Sequence, residues 1–580
     1  MIPTLRCRLR TALLLAVLAL PAAFPATAFA AAPQAAAAKP AATTDPAAAD
    51  LPARLDALFR AAYPADEPGA TVLVRRGDEV LLRAGYGMAD LEMGVPMAPE
   101  MVLRIGSITK QFTAAAVLLL AAEGRLDLAA PISHYLPDFT GPGAAVTVEQ
   151  LMTHVSGIPS YTSQPGFLDR SRHDVTPEER IAELRDLPLD FPTGTEWSYN
   201  NSAYFLLGAL IEKVSGTSWA QFLEARIFEP LGLEHTTYGD TLRIIPGRVE
   251  GYHRPDPDGD YVNALFLSMT QPYAAGALVS TVDDLSRWTR ALAGDELLPR
   301  AWRERLWTTA RLADGRATNY GFGFQISDYA GHRVIHHNGG INGFVSDALW
   351  VPDEDLYVVV LSNNTGKGVG GPSTQAMALA LGKPMDERPR IELPPAALDE
   401  YVGVYEVNGD AEDLRVVTRD GGQLFTQRTG GSKLPIHFSA ADRFYYSDAL
   451  AHGRFLRDAS GRVTGMELTP STGPDDTSVK TARPLPQPPR KAEVDPAVLD
   501  GLVGRYEIHP GFVLEISREG DALYAQATGQ PRFQVFPESE QRWFLEVVDA
   551  VIEFQRGEDG AADSLVLHQG GQEIPAQRID

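Results

Sequence analysis

Arg104-Ile-Gly-Ser107-Ile-Thr-Lys110-Gln-Phe-Thr113 runs straight into an apolar stretch rich in Ala, Leu and Val that stops at Gly124. The spacing predicts a helix over 108–122. Ser107 and Lys110, three residues apart, then share a helix face, and the serine lies at the positive end of the helix dipole. A serine hydroxyl is a poor nucleophile until a neighbouring base takes its proton, and a desolvated lysine can have its pKa lowered enough to do so. Taken alone, the pair is better read as a plain helix cap beside a solvated lysine.

Outward from this segment the chain is modular. Its 580 residues exceed what one compact core organises, and 44% hydrophobic with 22% charged residues is the composition of a globular protein. With 51 Lys and Arg against 75 Asp and Glu, the net charge of −24 repels nucleic acid and anionic lipid. Arg6, Arg8 and Arg10 precede an apolar run and the small residues Ala26-Thr-Ala-Phe-Ala30, the order of a secretory signal peptide over 1–30. The expected location is therefore secreted or periplasmic. The leader contains Cys7, the single cysteine, so disulfides and thiolate chemistry are excluded from the remainder. An Ala/Pro-rich spacer follows over 31–50, and order is expected from Leu51.

Strands are predicted over Ala70–Arg76, Glu79–Tyr86, 321–327, 334–337 and 357–361, with helices over 147–153 and 203–213. Pro, Arg and Glu crowd together over 384–395, marking a boundary after a first domain at 51–383. Beyond it the sequence repeats. Leu398-Asp-Glu-Tyr-Val-Gly-Val-Tyr-Glu406 is answered by Leu499-Asp-Gly-Leu-Val-Gly-Arg-Tyr-Glu507, Leu424-Phe-Thr-Gln427 by Leu523-Tyr-Ala-Gln526, and Arg443-Phe-Tyr445 by Arg542-Trp-Phe544. Two small antiparallel β modules, 391–480 and 494–580, follow from the short alternating runs, joined by the stiff Pro484-Leu-Pro-Gln-Pro-Pro489.

Two further segments carry chemistry-bearing residues. Pro192-Thr-Gly-Thr-Glu-Trp-Ser-Tyr199-Asn-Asn201 sets a tyrosine and an asparagine two apart before a helix, and His336-His337-Asn338-Gly339-Gly340 reads as a strand ending in a glycine-rich turn. In this order the three blocks resemble the serine hydrolases of the β-lactamase-like fold, which include class C β-lactamases, DD-peptidases, D-aminopeptidases and related esterases. Gln150-Leu-Met-Thr-His-Val-Ser-Gly-Ile-Pro159, Gly276-Ala-Leu-Val-Ser-Thr-Val-Asp-Asp-Leu285 and Tyr320-Gly-Phe-Gly-Phe324 add to the resemblance, which covers about residues 55–380.

The resemblance implies an α/β domain, an antiparallel sheet with flanking helices plus a helical subdomain, with the nucleophile in the cleft between them. It implies that Ser107 forms an acyl-enzyme, with Lys110 and Tyr199 sharing the proton work and either one the base. Asn201 would hold Lys110 and the substrate, and the N–H groups of Ser107 and Gly340 would form an oxyanion hole. Gly339 would keep the strand clear for an extended substrate. His337 stands where most β-lactamases carry lysine and is expected to contact substrate. Being mostly neutral at pH 7, it favours a peptidase, amidase or esterase over efficient penicillin hydrolysis.

The competing readings are a non-catalytic cell-wall binding or sensor protein of the same shape, and a true β-lactamase. Neither a cofactor nor a metal is called for: adjacent His336 and His337 point to opposite faces of a strand, and no third ligand stands at helical spacing. The partner expected is a small-molecule or peptide substrate, cell-wall fragments included, with no nucleic acid and no stable membrane anchor. The β modules could narrow the entrance to the site.

Overall fold

The computed structural model describes residues 50–254, 259–447, 449–486, 490–509, 512–528, 530, 532–548, 550–557, 560–569 and 572–580. The leader, Cys7, the spacer up to residue 49 and residues 487–489 of the proline linker lie outside the described residues.

Six strands make one antiparallel sheet: β1 (Ala70–Arg76), β2 (Glu79–Tyr86), β3 (Gln325–Tyr329), β4 (His332–Ile341), β5 (Phe344–Val351) and β6 (Leu356–Ser362), in the spatial order β3-β4-β5-β6-β1-β2. The first and last thirds of the domain thus meet in the middle of the sheet, where Val72 pairs with Val360 and Val74 with Val358. Alternate residues of the central strands enter different cores. Val72, Val74, Val358 and Val360 pack on one face with Leu55 and Phe59 of helix α1 (Leu51–Ala62), while Leu73, Val359 and Leu361 join the larger core on the other. That larger core takes in helix α2 (Thr109–Ala122), whose residues are buried all round except the last, and helix α3 (Asn201–Ser215). A helix apolar on every side needs neighbours on every side.

The sequence places a strand over 321–327, yet β3 starts at Gln325. Gly321 lies so close to the Leu306 carbonyl that a Cβ would stand 2.1 Å from its oxygen, and Gly323 holds a φ of +77°, so the chain turns there.

After residue 384 come two closed eight-stranded antiparallel barrels, within 403–480 and within 504–578. The repeat shows in their hydrogen bonds. The Tyr405 hydroxyl donates to the Tyr401 carbonyl at 2.6 Å, and the Tyr506 hydroxyl to the Leu502 carbonyl at 2.9 Å. Among the described residues, no helix is long and apolar enough to cross a membrane.

Candidate active site

Ser107 sits in a tight turn, Gly106–Ile108, that leads directly into α2. Gly106 has a φ of +50°, and a Cβ on it would stand 2.9 Å from the Gly340 nitrogen. Only a glycine lets this turn lie against β4. Opposite it, β3 ends at the His336 pairing, so residues 337–341 of β4 run past the serine with that edge unpaired by β3.

In the first turn of α2, as its second residue, Lys110 is fully buried. Its Nζ lies 3.0 Å from Ser107 Oγ, 2.9 Å from Asn201 Oδ1 and 2.8 Å from the Ala275 carbonyl oxygen. Burial pushes its pKa well below the ordinary amine range. The same Nζ stands 4.8 Å from the centre of the Tyr199 ring. The Tyr199 hydroxyl is enclosed, and burial raises its pKa, an effect that the adjacent Ser107 side chain partly offsets. The structure therefore brings Ser107, Lys110, Tyr199 and Asn201 together.

The segment carrying Tyr199 is tied at both flanks. Ser198 N–H donates to the His154 carbonyl at 3.0 Å, and Asn200 N–H donates to His154 Nδ1 at 3.1 Å. Asn200 also caps α3, its Oδ1 accepting from Ala203 N–H at 2.8 Å. Burial holds the His154 ring neutral, its pKa well below the usual histidine range.

Two sequence expectations change. His337 does not reach the cleft: it is fully buried, with Nε2 3.0 Å from the Tyr320 hydroxyl and Nδ1 2.6 Å from the Asn338 carbonyl. A carbonyl can only accept, so Nδ1 carries the proton and Nε2 accepts from Tyr320. Burial first, and the charge of Lys110 second, lower its pKa to about 3. Side chains alternate along β4, so His336 instead meets Ser327 Oγ at 3.0 Å. Gly339 is required for another reason than substrate clearance. A Cβ there would stand 2.2 Å from the Ile105 carbonyl oxygen and 2.4 Å from Ser346 Oγ, behind the serine turn. Gly340 is the residue with open space before it.

The β-lactamase family profile matches residues 55–381, more than half of the chain. The chain belongs to the β-lactamase family. It is a serine hydrolase by that membership. A domain of unknown function, DUF3471, matches residues 488–578, which contain the second barrel. Penicillin-binding protein 4* of Bacillus subtilis (strain 168) is 25% identical over 542 residues, covering 90% of this chain and 98% of its own length. Esterase EstB of Burkholderia gladioli is 31% identical over 371 residues, covering 56% of this chain and 93% of its own. The structure of the D-amino acid amidase of Ochrobactrum anthropi SV3 complexed with D-phenylalanine is similar at 25% identity and a TM-score of 0.50. It covers 57% of this chain and 99% of the amidase.

In this β-lactamase-family hydrolase the cleft at Ser107 holds about 160 Å³ and is bordered by Asn201, Tyr161, Phe167, Leu267 and Gly340 among others. Among the described residues, no charged side chain lines it and none of its wall comes from the barrels. Larger cavities, of about 500 and 590 Å³, lie between the hydrolase domain and the first barrel, away from the serine. That barrel meets the domain behind the site. Asn319 Nδ2 donates to the Gly473 carbonyl at 3.2 Å and to Asp475 Oδ1 at 2.8 Å, and Gly473 lies against the Trp197 ring.

Sequence reasoning missed Ala275, Thr162 and Tyr320 as parts of the site. Ala275 acts through its carbonyl, which no side-chain motif reveals, and Thr162 through a 3.2 Å bond from Asn201 Nδ2. Tyr320 opens a Tyr-Gly-Phe-Gly-Phe stretch whose aromatic and glycine content was the available signal.

Proposed function

We propose that the protein hydrolyses uncharged esters or amides through an acyl-enzyme on Ser107. The observation that carries this reading is the environment of the Lys110 amine. It is sealed from water, and the Asn201 Oδ1 and Ala275 carbonyl beside it can only accept hydrogen bonds. A neutral amine gives its two N–H bonds to those two acceptors and keeps its lone pair for the Ser107 hydroxyl, 3.0 Å away. Tyr199, its pKa raised, remains a phenol and serves as a proton donor. Lys110 is thus the base.

Attack of Ser107 Oγ on the carbonyl passes the hydroxyl proton to Lys110 Nζ and puts the new oxyanion between the N–H groups of Ser107 and Gly340. As the carbonyl reforms, the bond to the leaving group breaks, and that group takes a proton relayed from Lys110 through Tyr199. Water, deprotonated by the same amine, then attacks the acyl-enzyme and releases a carboxylic acid and free Ser107.

Substrate choice follows from charge. With His337 neutral and enclosed, and no cation on the cleft wall among the described residues, nothing there holds a carboxylate; with no acid among them, nothing holds an ammonium. The names of the esterase and amidase relatives are in keeping with neutral acyl substrates, small peptides included. The leader sequence supports action outside the cytoplasm, in secreted or periplasmic form, where cell-wall fragments are among the amides available.

The test is intact-mass analysis after a fluorophosphonate, with hydrolysis of p-nitrophenyl esters, D-amino-acid anilides and a chromogenic cephalosporin by wild type and Ser107→Ala. One adduct on wild type, none on the variant, and turnover of the uncharged esters well above that of the anionic cephalosporin and of the anilides, which carry a free ammonium, are expected. In wild type, kcat/KM should fall as pH drops through the depressed pKa of Lys110. Unlabelled, well-folded wild type without turnover would refute acylation.

A further inference from the structure

Three large apolar side chains stand in water beside the cleft: Leu168 is 60% exposed, Leu265 74% and Phe266 47%. Isolated exposed leucines are ordinary, whereas a group continuous with a ligand cleft marks a contact surface. Continuity is shown by the backbone. Leu168 is itself part of the cleft wall, beside Phe167. The chain over 264–268 crosses the cleft edge between two anchors. The Leu265 carbonyl accepts from Asn342 Nδ2 at 2.9 Å, and Ser268 N–H donates to the Ser171 carbonyl at 3.0 Å. Asn342 and Ser171 both line the cleft, as does Leu267, so Leu265 and Phe266 are held at its rim.

The cleft volume of about 160 Å³ is smaller than the roughly 300–1,000 Å³ of pockets that enclose a drug-sized ligand. A substrate larger than a short acyl group must therefore leave it, and this side of the exit is apolar. No Asp, Glu, Lys, Arg or His belongs to the wall among the described residues.

We infer that one group flanking the scissile carbonyl is an uncharged hydrocarbon chain that runs out of the cleft over Leu168, Leu265 and Phe266. The inference rests on the acylating reading of Ser107 and assigns a substrate class to that site: esters or amides bearing medium-length aliphatic or aromatic groups.

The test is the slope of log kcat/KM against chain length, measured below the critical micelle concentration for two series. One is p-nitrophenyl esters from acetate to decanoate; the other is acetate esters of linear alcohols. Each methylene laid on a half-exposed apolar surface should raise kcat/KM about two-fold, so roughly sixteen-fold is expected from C4 to C8 in at least one series. Leu265→Ser combined with Phe266→Ser should flatten that slope. The slope is internal to each protein, so a change in folded fraction or in the chemistry cancels.

Flat slopes in both series, with esters hydrolysed and Ser107 labelled, would overturn the inference and leave the acylating reading intact. A slope unchanged in the double variant would overturn it as well, as would a change confined to oligomeric state on size-exclusion chromatography, which would make the patch an interface between copies. Absence of both labelling and turnover would sink the two together.

Discussion

Replacing Gly106 by alanine tests the geometry of the serine turn, because its effects on stability and on rate can be worked out separately. At a φ of +50° an L-residue costs about 1–2 kcal/mol. The new Cβ would also stand 2.9 Å from the Gly340 nitrogen and 3.2 Å from the carbonyl carbons of Gly339 and Gly340. These are backbone atoms of a strand paired on its far side, Gly340 opposite Val345, so β4 cannot yield cheaply and the turn must retreat. Retreat separates the N–H of Ser107 from that of Gly340. Losing one oxyanion donor costs about 3 kcal/mol, or 10²–10³ in kcat. Gly124→Ala is the control: its φ is +71°, nothing lies within 4 Å of the added carbon, and it sits at the far end of the same helix. Both variants should melt a few degrees lower, but only Gly106→Ala should lose kcat, by at least about a hundred-fold, with KM within a few-fold. Melting curves and steady-state rates on one p-nitrophenyl ester decide it. If Gly106→Ala keeps kcat within three-fold or so while its melting point falls, the two donors do not act together and the placement of the oxyanion hole is wrong.

Acid should destabilise the fold between about pH 6.5 and pH 3. His154, His336 (pKa lowered to about 4) and His337 (to about 3) stay neutral when folded but protonate when unfolded, each removing about 1.4 kcal/mol per pH unit, partly opposed by Asp347, raised to about 6. Urea midpoints that stay level or rise from pH 6.5 to pH 4.5 would contradict this. Tyr320→Phe leaves His337 Nε2 buried without its donor and should cost about 1–3 kcal/mol in chemical denaturation; no loss would mean that the pairing is dispensable. Asn319→Ala removes both bonds to the 473–475 loop and should lower the calorimetric transition of the hydrolase domain by about 1–2 kcal/mol equivalent, an unshifted trace speaking against barrel support. In the first barrel, Arg415→Leu alone should cost about 3–5 kcal/mol, whereas Arg415→Leu with Asp476→Ile should be neutral or stabilising; equal losses would refute the account of that pair.

What could be read in advance depended on whether its cause was local. Ser107 and Lys110 share a face because a helix puts residues three apart together, and nothing distant is needed to see it. Asn201 owed its role to the family resemblance, and the helix expected from residue 203 in fact begins at it. His337 is different. Its residue type and strand were legible, but its enclosure by Tyr320 and Asn338 depends on a segment seventeen residues upstream folding back over it. Gly339 was singled out correctly as a glycine position and given the wrong neighbour, since the carbonyl that excludes a side chain belongs to Ile105, more than two hundred residues away in sequence. Strand β5 escaped notice because it is covered on both faces: all but one of Phe344–Val351 are buried, so the alternation that betrays a half-exposed strand is absent.

The two barrels show the same division within one repeat. Their shared frame is visible in the sequence because each Tyr-containing strand makes the same pairings, Gly403 with Val417 and Gly504 with Ile516, Tyr405 with Lys480 and Tyr506 with Arg578. Following those registers, Arg415 of the first barrel corresponds to Leu514 of the second, and Asp476 to Ile574. Arg415 and Asp476 form a bidentate pair at 2.6 and 3.0 Å, each side chain 5% exposed. An apolar pair of similar volume generally matches or exceeds the stability of such a buried ion pair, and in the second barrel the place of Arg415 is taken by Leu514, buried in that barrel's core. The ion pair is therefore not what closes the first barrel. Beside it lies a cavity of about 490 Å³ whose wall includes Arg415, Thr426 and Pro470, with Ser471 leading into the loop that touches Trp197 and Asn319. The interior of the first barrel has thus diverged on the side that meets the hydrolase domain, while the second has kept an apolar filling. A frame fixed by strand pairing can be copied without its contents, so the repeat predicts the architecture of both modules and the use of neither.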